Sequence, residues 1–499
     1  MSDPTTMQAI PTRRHLLISR VVTAVAVAVP PLLYLAFVSH FAVNSLQGDE
    51  WNQIPFIHDA LHGSFSVGQL WSQYGEPRIP LVRGYLLFFA EADHLDLRAA
   101  IVGNAVLLTA AYAVLLALFR RYAGGRLNPV PVLAIGLVWF SLADVQNALW
   151  AFEVGWYLVT LGFMCMLGAL ILPKTGRPLW LVVAMLAAVV ATLAWIQGFV
   201  VWPVGLLCLL WSRPDSTRWK REVAAWCVAT VYMVIVYFVG YDRSITSCKP
   251  SFGCVPTNPI AHPVAAVHFL VVLVGNVVPG GFLDGVPHSY VRFELVGILV
   301  LAAAAFIVVQ SIRRREVSES TPLPLLLIAF SILFDLTLVW GRVGAGPVYA
   351  IQANRYVMPN VILLVAIVIY AWAHRPWVGS AAIGSPAKAM TSWIAFAVVC
   401  GFVVLQVFVA TNFGIREAKV TRLLGIGRGQ LTVNWNLVPL AVRECDSIGF
   451  FVRGDQVPVA AADRLGEFGP TSYRYFAKLG PLLDPACSEP PPVSTKTGQ

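Results

Sequence analysis

A chain of 499 residues with 58% hydrophobic and only 12% charged side chains cannot be a water-soluble globule, because a core of that length does not hide so much apolar surface. The apolar runs are about 20 residues long rather than the ~10-residue alternating segments of a barrel, so the expected class is all-α, a polytopic transmembrane helical bundle. The formal charge of +9 falls mainly at the ends of these runs, where it anchors helices, and it implies no nucleic-acid partner.

Residues 1–15 form a short tail carrying Arg13 and Arg14. The first span, from about residue 16 to 41, lacks the short apolar core and small-residue cleavage site of a signal peptide and is read as a retained helix. Further spans are expected near 98–119, 129–148, 153–172, 179–196, 198–212, 222–240, 293–311, 323–340, 356–373 and 392–411, about eleven in all. Arg and Lys recur at alternate connections: Arg120, Arg121 and Arg126; Lys174 and Arg177; Arg213 to Arg221; Arg313 to Arg315; Arg375 and Lys388. The positive-inside rule makes these cytoplasmic, with the amino terminus inside and the carboxyl tail outside, in an inner (plasma) membrane. One more apolar stretch, 262–282, would break this alternation if it crossed. Its Asn276, Pro279 and Gly280-Gly281 suit a re-entrant or interfacial segment.

The transmembrane domain thus covers 16–411, with a first extracytoplasmic loop at 42–97 and a long one at 241–292. A small extracytoplasmic region, 412–487, follows, with helices expected at 416–419 and 437–445, and then a disordered Pro-rich tail, 488–499. Cys165, Cys208, Cys227 and Cys400 fall within spans, whereas Cys248, Cys254, Cys445 and Cys487 all fall outside, where disulfides persist. A Cys248–Cys254 bridge is sterically plausible, leaving Cys445–Cys487, and the spacing matches no zinc signature. No nucleotide-binding pattern occurs, and Gly425-Ile426-Gly427-Arg428-Gly429 is too isolated for a phosphate loop. Any enzyme substrate must therefore arrive already activated.

Chemistry concentrates beyond the first span, at Asp49-Glu50-Trp51. The next stretch, Trp51 to Gly63, has Ile54, Ile57 and Leu61 at helical spacing and reads as a helix on the membrane surface, with His58, Asp59 and His62 on its polar side. His58 and His62 are spaced i, i+4, but the Glu of the H-E-x-x-H zinc motif is missing, so no metal ligands are expected there. Glu76, Arg78 and Arg83 follow. A guanidinium grips phosphate with two parallel hydrogen bonds, making these arginines candidates for an anionic headgroup, with snorkelling or pairing to Glu76 and Glu91 as the plainer alternative. Asp144 and Glu153 stand at outer helix ends, around Gln146, Asn147 and Trp150. Asp335 lies deepest and has Arg342 as an available partner; Arg342 and Arg355 frame a glycine-rich loop.

This layout resembles the GT-C superfamily of integral-membrane glycosyltransferases, an architecture covering roughly residues 15–411, with an acidic residue in the first extracytoplasmic loop where Asp49 stands and Glu50 beside it. Glu76-Pro77-Arg78-Ile79-Pro80 also looks like the Glu-His-Arg segment of uncharacterised bacterial membrane proteins of this layout, with Pro77 replacing the His. The resemblance implies a polyprenyl-phosphate sugar donor and transfer of a hexosyl or pentosyl group to an extracytoplasmic glycan or lipid acceptor. Inverting transfer needs a carboxylate to take the acceptor proton and positive charge at the leaving phosphate. Asp49 is the expected base, with Glu50 or Glu153 orienting it. Arg78, Arg83, Arg342 and Arg355, with Trp51 and Asp144, are the expected substrate contacts. No metal is demanded, though carboxylates with phosphate can admit Mg²⁺ or Mn²⁺. The competing classes are a flippase or transporter of lipid-linked sugars, which would also use a broken segment such as 262–282, and a non-catalytic subunit of an envelope-assembly complex.

Overall fold

The computed structural model describes residues 13–173, 175, 177–211, 217–244, 254–255, 257–280, 289–313, 322–374, 386–438 and 452–479. The elements are helices α1 (Arg13–Phe41), α2 (Ile54–Leu61), α3 (Val67–Trp71), α4 (Pro80–Asp93), α5 (Leu97–Tyr122), α6 (Pro129–Trp139), α7 (Val145–Ala148), α8 (Val154–Ile171), α9 (Arg177–Ala194), α10 (Val201–Trp211), α11 (Thr217–Phe238), α12 (Pro263–Gly275), α13 (Val291–Arg313), α14 (Leu323–Arg342), α15 (Gly346–Gln352), α16 (Met358–Ala373), α17 (Pro386–Val433), α18 (Val457–Ala462) and α19 (Pro470–Leu479). Among the described residues the one β-type pairing outside named strands is a bridge between Gln73 and Arg78.

Among the described residues nine helical segments are long and apolar enough to cross a membrane. They match nine of the expected spans, so this is a multi-pass membrane protein of all-α class. The other two expected spans are the shorter helices α9 and α10, and the count of eleven is not established. The outer faces carry Leu32, Leu33, Val228, Leu299 and Phe408, each more than half exposed, a surface that water would penalise and lipid does not. α12 has 13 residues, about 20 Å at 1.5 Å per residue, too short for a ~30 Å core. Its end is held by Asn276, whose amide donates to the carbonyls of Ala350 and Ile351 at 3.1 and 3.0 Å.

Burial is uneven across the bundle. The span windows of Ala151–Ile171 and Asn354–Ala373 are 78% and 83% buried, against 17–28% for those around α1, α11, α13 and α17. Thus α8 and α16 form the axis. They touch where Thr160 meets Met358 Sδ at 3.7 Å and where the rings of Trp156 and Tyr356 lie 5.7 Å apart. Asp335 is wholly buried on α14, but its partner is Asn360, 3.4 Å away, rather than Arg342, which points outward to Glu76.

The carboxyl-terminal region departs from the expected appendage. α17 does not stop near 411 but runs unbroken to Val433, because nothing between Asn412 and Val433 breaks a helix when its glycines are used for packing. A Cβ on Gly414 would meet the Leu142 side chain at 2.3 Å, and one on Gly429 the Phe476 ring at 2.5 Å. The glycine-rich stretch is therefore a contact face. Beyond it, 466–472 clamps the first loop: Asn44 Nδ2 donates to Gly466 O and Ser472 Oγ, both at 2.9 Å, and the Leu46 amide donates to Glu467 Oε2 at 2.8 Å. Of the helix expected at 437–445, all but the first two residues lie outside the described residues.

Candidate active site

Three segments bring charged groups together at one end of the axial helices. The first is the 3-10 turn Gly48–Gln53, which follows α1 after a short linker and holds Asp49 partly exposed. The second is the turn before α8, whose last residue is Glu153. The third is Asn354–Val357, the turn that opens α16 and carries Arg355. Glu153 is 3% exposed and its Oε1 lies 3.8 Å from Arg355 Nε, while Asp49 lies within electrostatic reach of both. Helix ends suit this chemistry, since a charge there can be held by the protein while still facing the interface.

Each member is positioned. Asp49 Oδ1 accepts a short hydrogen bond from the Tyr74 hydroxyl, which itself accepts from Asn52 Nδ2 at 2.8 Å. Burial, then the neighbouring Asp49 charge, push the Tyr74 hydroxyl far above its ordinary pKa, so it stays a donor to Asp49. Arg355 donates to Tyr349 OH at 2.9 Å, and its guanidinium carbon lies 5.1 Å from the Tyr356 ring centroid and 6.0 Å from that of Trp150. Its backbone is fixed by the 143–148 turn: Asn147 Nδ2 donates to Arg355 O at 2.9 Å, and Gln146 N to Asn354 Oδ1 at 3.1 Å. Arg342 stands beside it, donating to Glu76 Oε1 at 2.8 Å and to Tyr356 OH at 3.3 Å. Arg355 and Arg342 side chains remain 24% and 21% exposed, enough to meet a ligand.

The other expected site residues have different surroundings. Arg78, 5% exposed, donates to the carbonyls of Trp71, Tyr237 and Val239 at 2.7–2.9 Å. Arg83, 6% exposed, donates to Gln53 Oε1 and to the carbonyls of Gln69, Leu70 and Ser72. Both guanidiniums are buried and donate mainly to the chain itself, the surroundings of a loop staple. Trp51 is fully buried and offers no ligand surface. Asp144 is buried within electrostatic reach of the Tyr34–Tyr157 hydroxyl pair. Glu50 turns inward, accepting from the amides of Gln47 at 2.9 Å and Phe152 at 3.3 Å, and burial raises its pKa to about 8. It fastens the acidic turn to the segment before α8 and is not oriented like Asp49. Tyr74, Tyr349 and Tyr356 were not singled out from sequence, although each lies in a stretch noticed for its arginines.

Cys254 is disulfide-bonded; Cys248, Cys445 and Cys487 lie outside the described residues. Cys165, Cys208, Cys227 and Cys400, all within helices, carry thiols. Glu153 Oε1 faces a guanidinium and Asp49 Oδ1 a phenol. A hollow of about 690 Å³ lies between the end of α17 and residues 457–474, and among the described residues no acidic side chain lines it.

No family model and no curated protein matches the sequence. Among solved structures, the chain is similar to ArnT from Cupriavidus metallidurans in the apo state, with TM-score 0.44 and 15% identity over 90% of this chain and 88% of that one. It is also similar to ArnT from the same organism bound to undecaprenyl phosphate, with TM-score 0.41 and 15% identity over 93% and 88%. At this identity and overlap the likeness carries no substrate or residue role across.

Proposed function

We propose that the chain is an extracytoplasmically acting membrane glycosyltransferase that uses a polyprenyl-phosphate sugar and inverts the anomeric centre. The observation that carries this reading is the convergence of Asp49, Glu153 and Arg355, three sequence-distant groups of opposite charge, at the outer ends of the two most enclosed helices. A lipid-linked donor keeps its chain in the bilayer and presents its phosphate at that depth, so the substrate need not leave the membrane.

In the proposed step the acceptor hydroxyl oxygen forms a bond to the anomeric carbon as the bond from that carbon to the phosphate oxygen breaks. The hydroxyl proton passes to Asp49, and the electron pair leaves with the polyprenyl phosphate. Tyr74 aims the Asp49 carboxylate by its hydrogen bond, Glu153 holds Arg355, and Arg355 with Arg342 face the phosphate as its charge grows. The phosphate is already a good leaving group, so electrostatic stabilisation suffices. The half-buried Trp150 ring offers an apolar face for a sugar.

The experiment is reconstitution in liposomes with a panel of polyprenyl-phosphate hexoses and pentoses, following both sugar transfer and passage of the lipid across the bilayer. Transfer by the wild type is expected; translocation without transfer would establish the flippase reading instead. The proposed orientation, amino terminus inside and carboxyl region outside, is tested by cysteines placed at Gly124 and Lys478 and labelled from each side. Labelling from opposite sides is expected, and labelling from the same side would remove the acidic turn from the outer face.

A further inference from the structure

We infer that His58, His62 and Asp463 form a binding site for a single divalent transition-metal ion, zinc being the natural occupant. The site ties the first extracytoplasmic loop to the carboxyl-terminal region. Its three ligand atoms lie within 4.8 Å of one another. His58 is on α2 and His62 is the residue that caps it, one turn on; Asp463 caps α18, some 405 residues away from His58, which is why the sequence alone showed two histidines and no third ligand.

The tautomer of His62 is the second observation. Its Nδ1 lies 2.9 Å from the His58 carbonyl, and a carbonyl only accepts, so Nδ1 carries the hydrogen. The neutral ring then presents a bare lone pair on Nε2, which faces Asp463 Oδ1 at 3.7 Å. A ring nitrogen fixed by a backbone carbonyl so that the other is free to ligate is the arrangement found around protein-bound zinc. Two lone pairs facing each other repel unless a cation, a proton or a metal ion, stands between them. Zinc–nitrogen and zinc–oxygen bonds of roughly 2.0–2.2 Å can bridge such a gap with a bent angle.

His58 supplies the third ligand once the metal displaces the proton it shares with Asp463. His58 Nδ1 lies 2.7 Å from Asp463 Oδ2, and the two imidazole centroids are 4.3 Å apart. The Asp463 side chain is 5% exposed while the His58 and His62 side chains are 39% and 56% exposed, so the carboxylate forms a floor and the imidazoles an open rim. Two imidazoles and one carboxylate suit zinc, nickel or copper and are a poor set for Mg²⁺ or Ca²⁺, which take oxygen ligands. The histidine-to-aspartate hydrogen bond by itself accounts for His58, and the cap bond to the His58 carbonyl turns the remaining His62 nitrogen toward the same carboxylate. Three protein ligands leave a fourth position to water.

The test uses full-length protein in detergent, with any affinity tag removed, stripped by chelator, dialysed and then offered ZnCl₂ or MgCl₂. Metal content and thermal unfolding are both read. The wild type is expected to retain about one zinc per chain and to melt several degrees higher with zinc but not with magnesium, since a ligand that binds only the folded state stabilises it. His62→Gln keeps the His58–Asp463 hydrogen bond; its metal-free protein should melt as the wild type does, yet it should lose the zinc and the zinc-dependent shift. Asp463→Asn should lose both the zinc and some metal-free stability. Sub-stoichiometric zinc in the wild type, or zinc retained by His62→Gln, would overturn the site.

Discussion

Two pairs of arginines lie at the same end of the bundle and have opposite surroundings. Arg78 and Arg83, on the first loop, are 5% and 6% exposed and donate almost wholly to backbone carbonyls. Arg342 and Arg355, on the 341–357 hairpin, keep about a fifth to a quarter of their side-chain surface open and face carboxylates and phenols. A guanidinium with five N–H donors can staple a loop or receive an anion, and what decides is whether its donors are already taken. Sequence places all four near acidic groups at a membrane surface; only their partners tell the staple from the receiver.

The sharpest way to break this comparison is through the base rather than the arginines. Asp49→Asn keeps the shape of the side chain and its acceptor for Tyr74 but removes the proton-accepting charge. General bases contribute typically about 10²–10⁴-fold, so transfer is expected to fall by that factor at matched expression while the melting temperature hardly changes. Equal transfer by the two proteins would remove Asp49 from the chemistry. Next in size is Arg355→Ala. A charge-assisted hydrogen bond contributes roughly 1.5–3 kcal/mol, so donor affinity should weaken by roughly ten- to a hundred-fold, measured as a rise in KM for the lipid-linked sugar. Arg342→Ala is expected to act in the same direction and less strongly, because Glu76 shares its charge.

Arg78→Ala sharpens the contrast from the other side. It should leave catalysis per folded molecule intact and destabilise the protein, because the carbonyls of Trp71, Tyr237 and Val239 lose their donor at a cost of roughly 1–3 kcal/mol for a buried group left unsatisfied. A thermal melt alongside the transfer assay separates the two effects. A selective rise in KM with an unchanged melt would return Arg78 to the ligand-binding set.

The helical class and nine of the spans were legible because hydrophobic run length is a local property that a bilayer enforces directly. So was the first-loop position of Asp49, which depends only on where the first apolar run ends. What could not be read was direction. Asp49 and Glu50 are neighbours in sequence and diverge in space because the 3-10 turn rotates successive side chains apart, one to Tyr74 and the other to the amides of Gln47 and Phe152. Partners hundreds of residues away were equally invisible: Glu467 for Leu46, and Asp463 for His58. The run from Asn412 to Val433 misled for a different reason. Its mixed charge and moderate apolar content read as the end of the span, whereas in the fold the helix continues and its glycines are the places where α17 touches Leu142, Val43 and Phe476.

The last expected effect concerns Glu50, the buried neighbour of Asp49, and appears only on varying pH. Burial raises the Glu50 pKa from an ordinary value near 4.5 to about 8, and that of Glu467, beside the same Arg428, to about 7. Between those ordinary and raised values the folded protein holds a proton that the unfolded chain has released, so stability falls as pH rises through this window. Glu50→Gln cannot ionise and should flatten that slope. It keeps an acceptor for the Gln47 amide, the closer contact at 2.9 Å, but cannot serve the Phe152 amide as well. The variant is therefore expected to melt slightly below the wild type near pH 5 and above it near about pH 9, the two curves crossing between. Glu467 should leave a residual slope in the variant. Parallel curves, with the variant below the wild type at every pH, would mean that Glu50 acts only as a hydrogen-bonded fastener and that its charge is already compensated by Arg428.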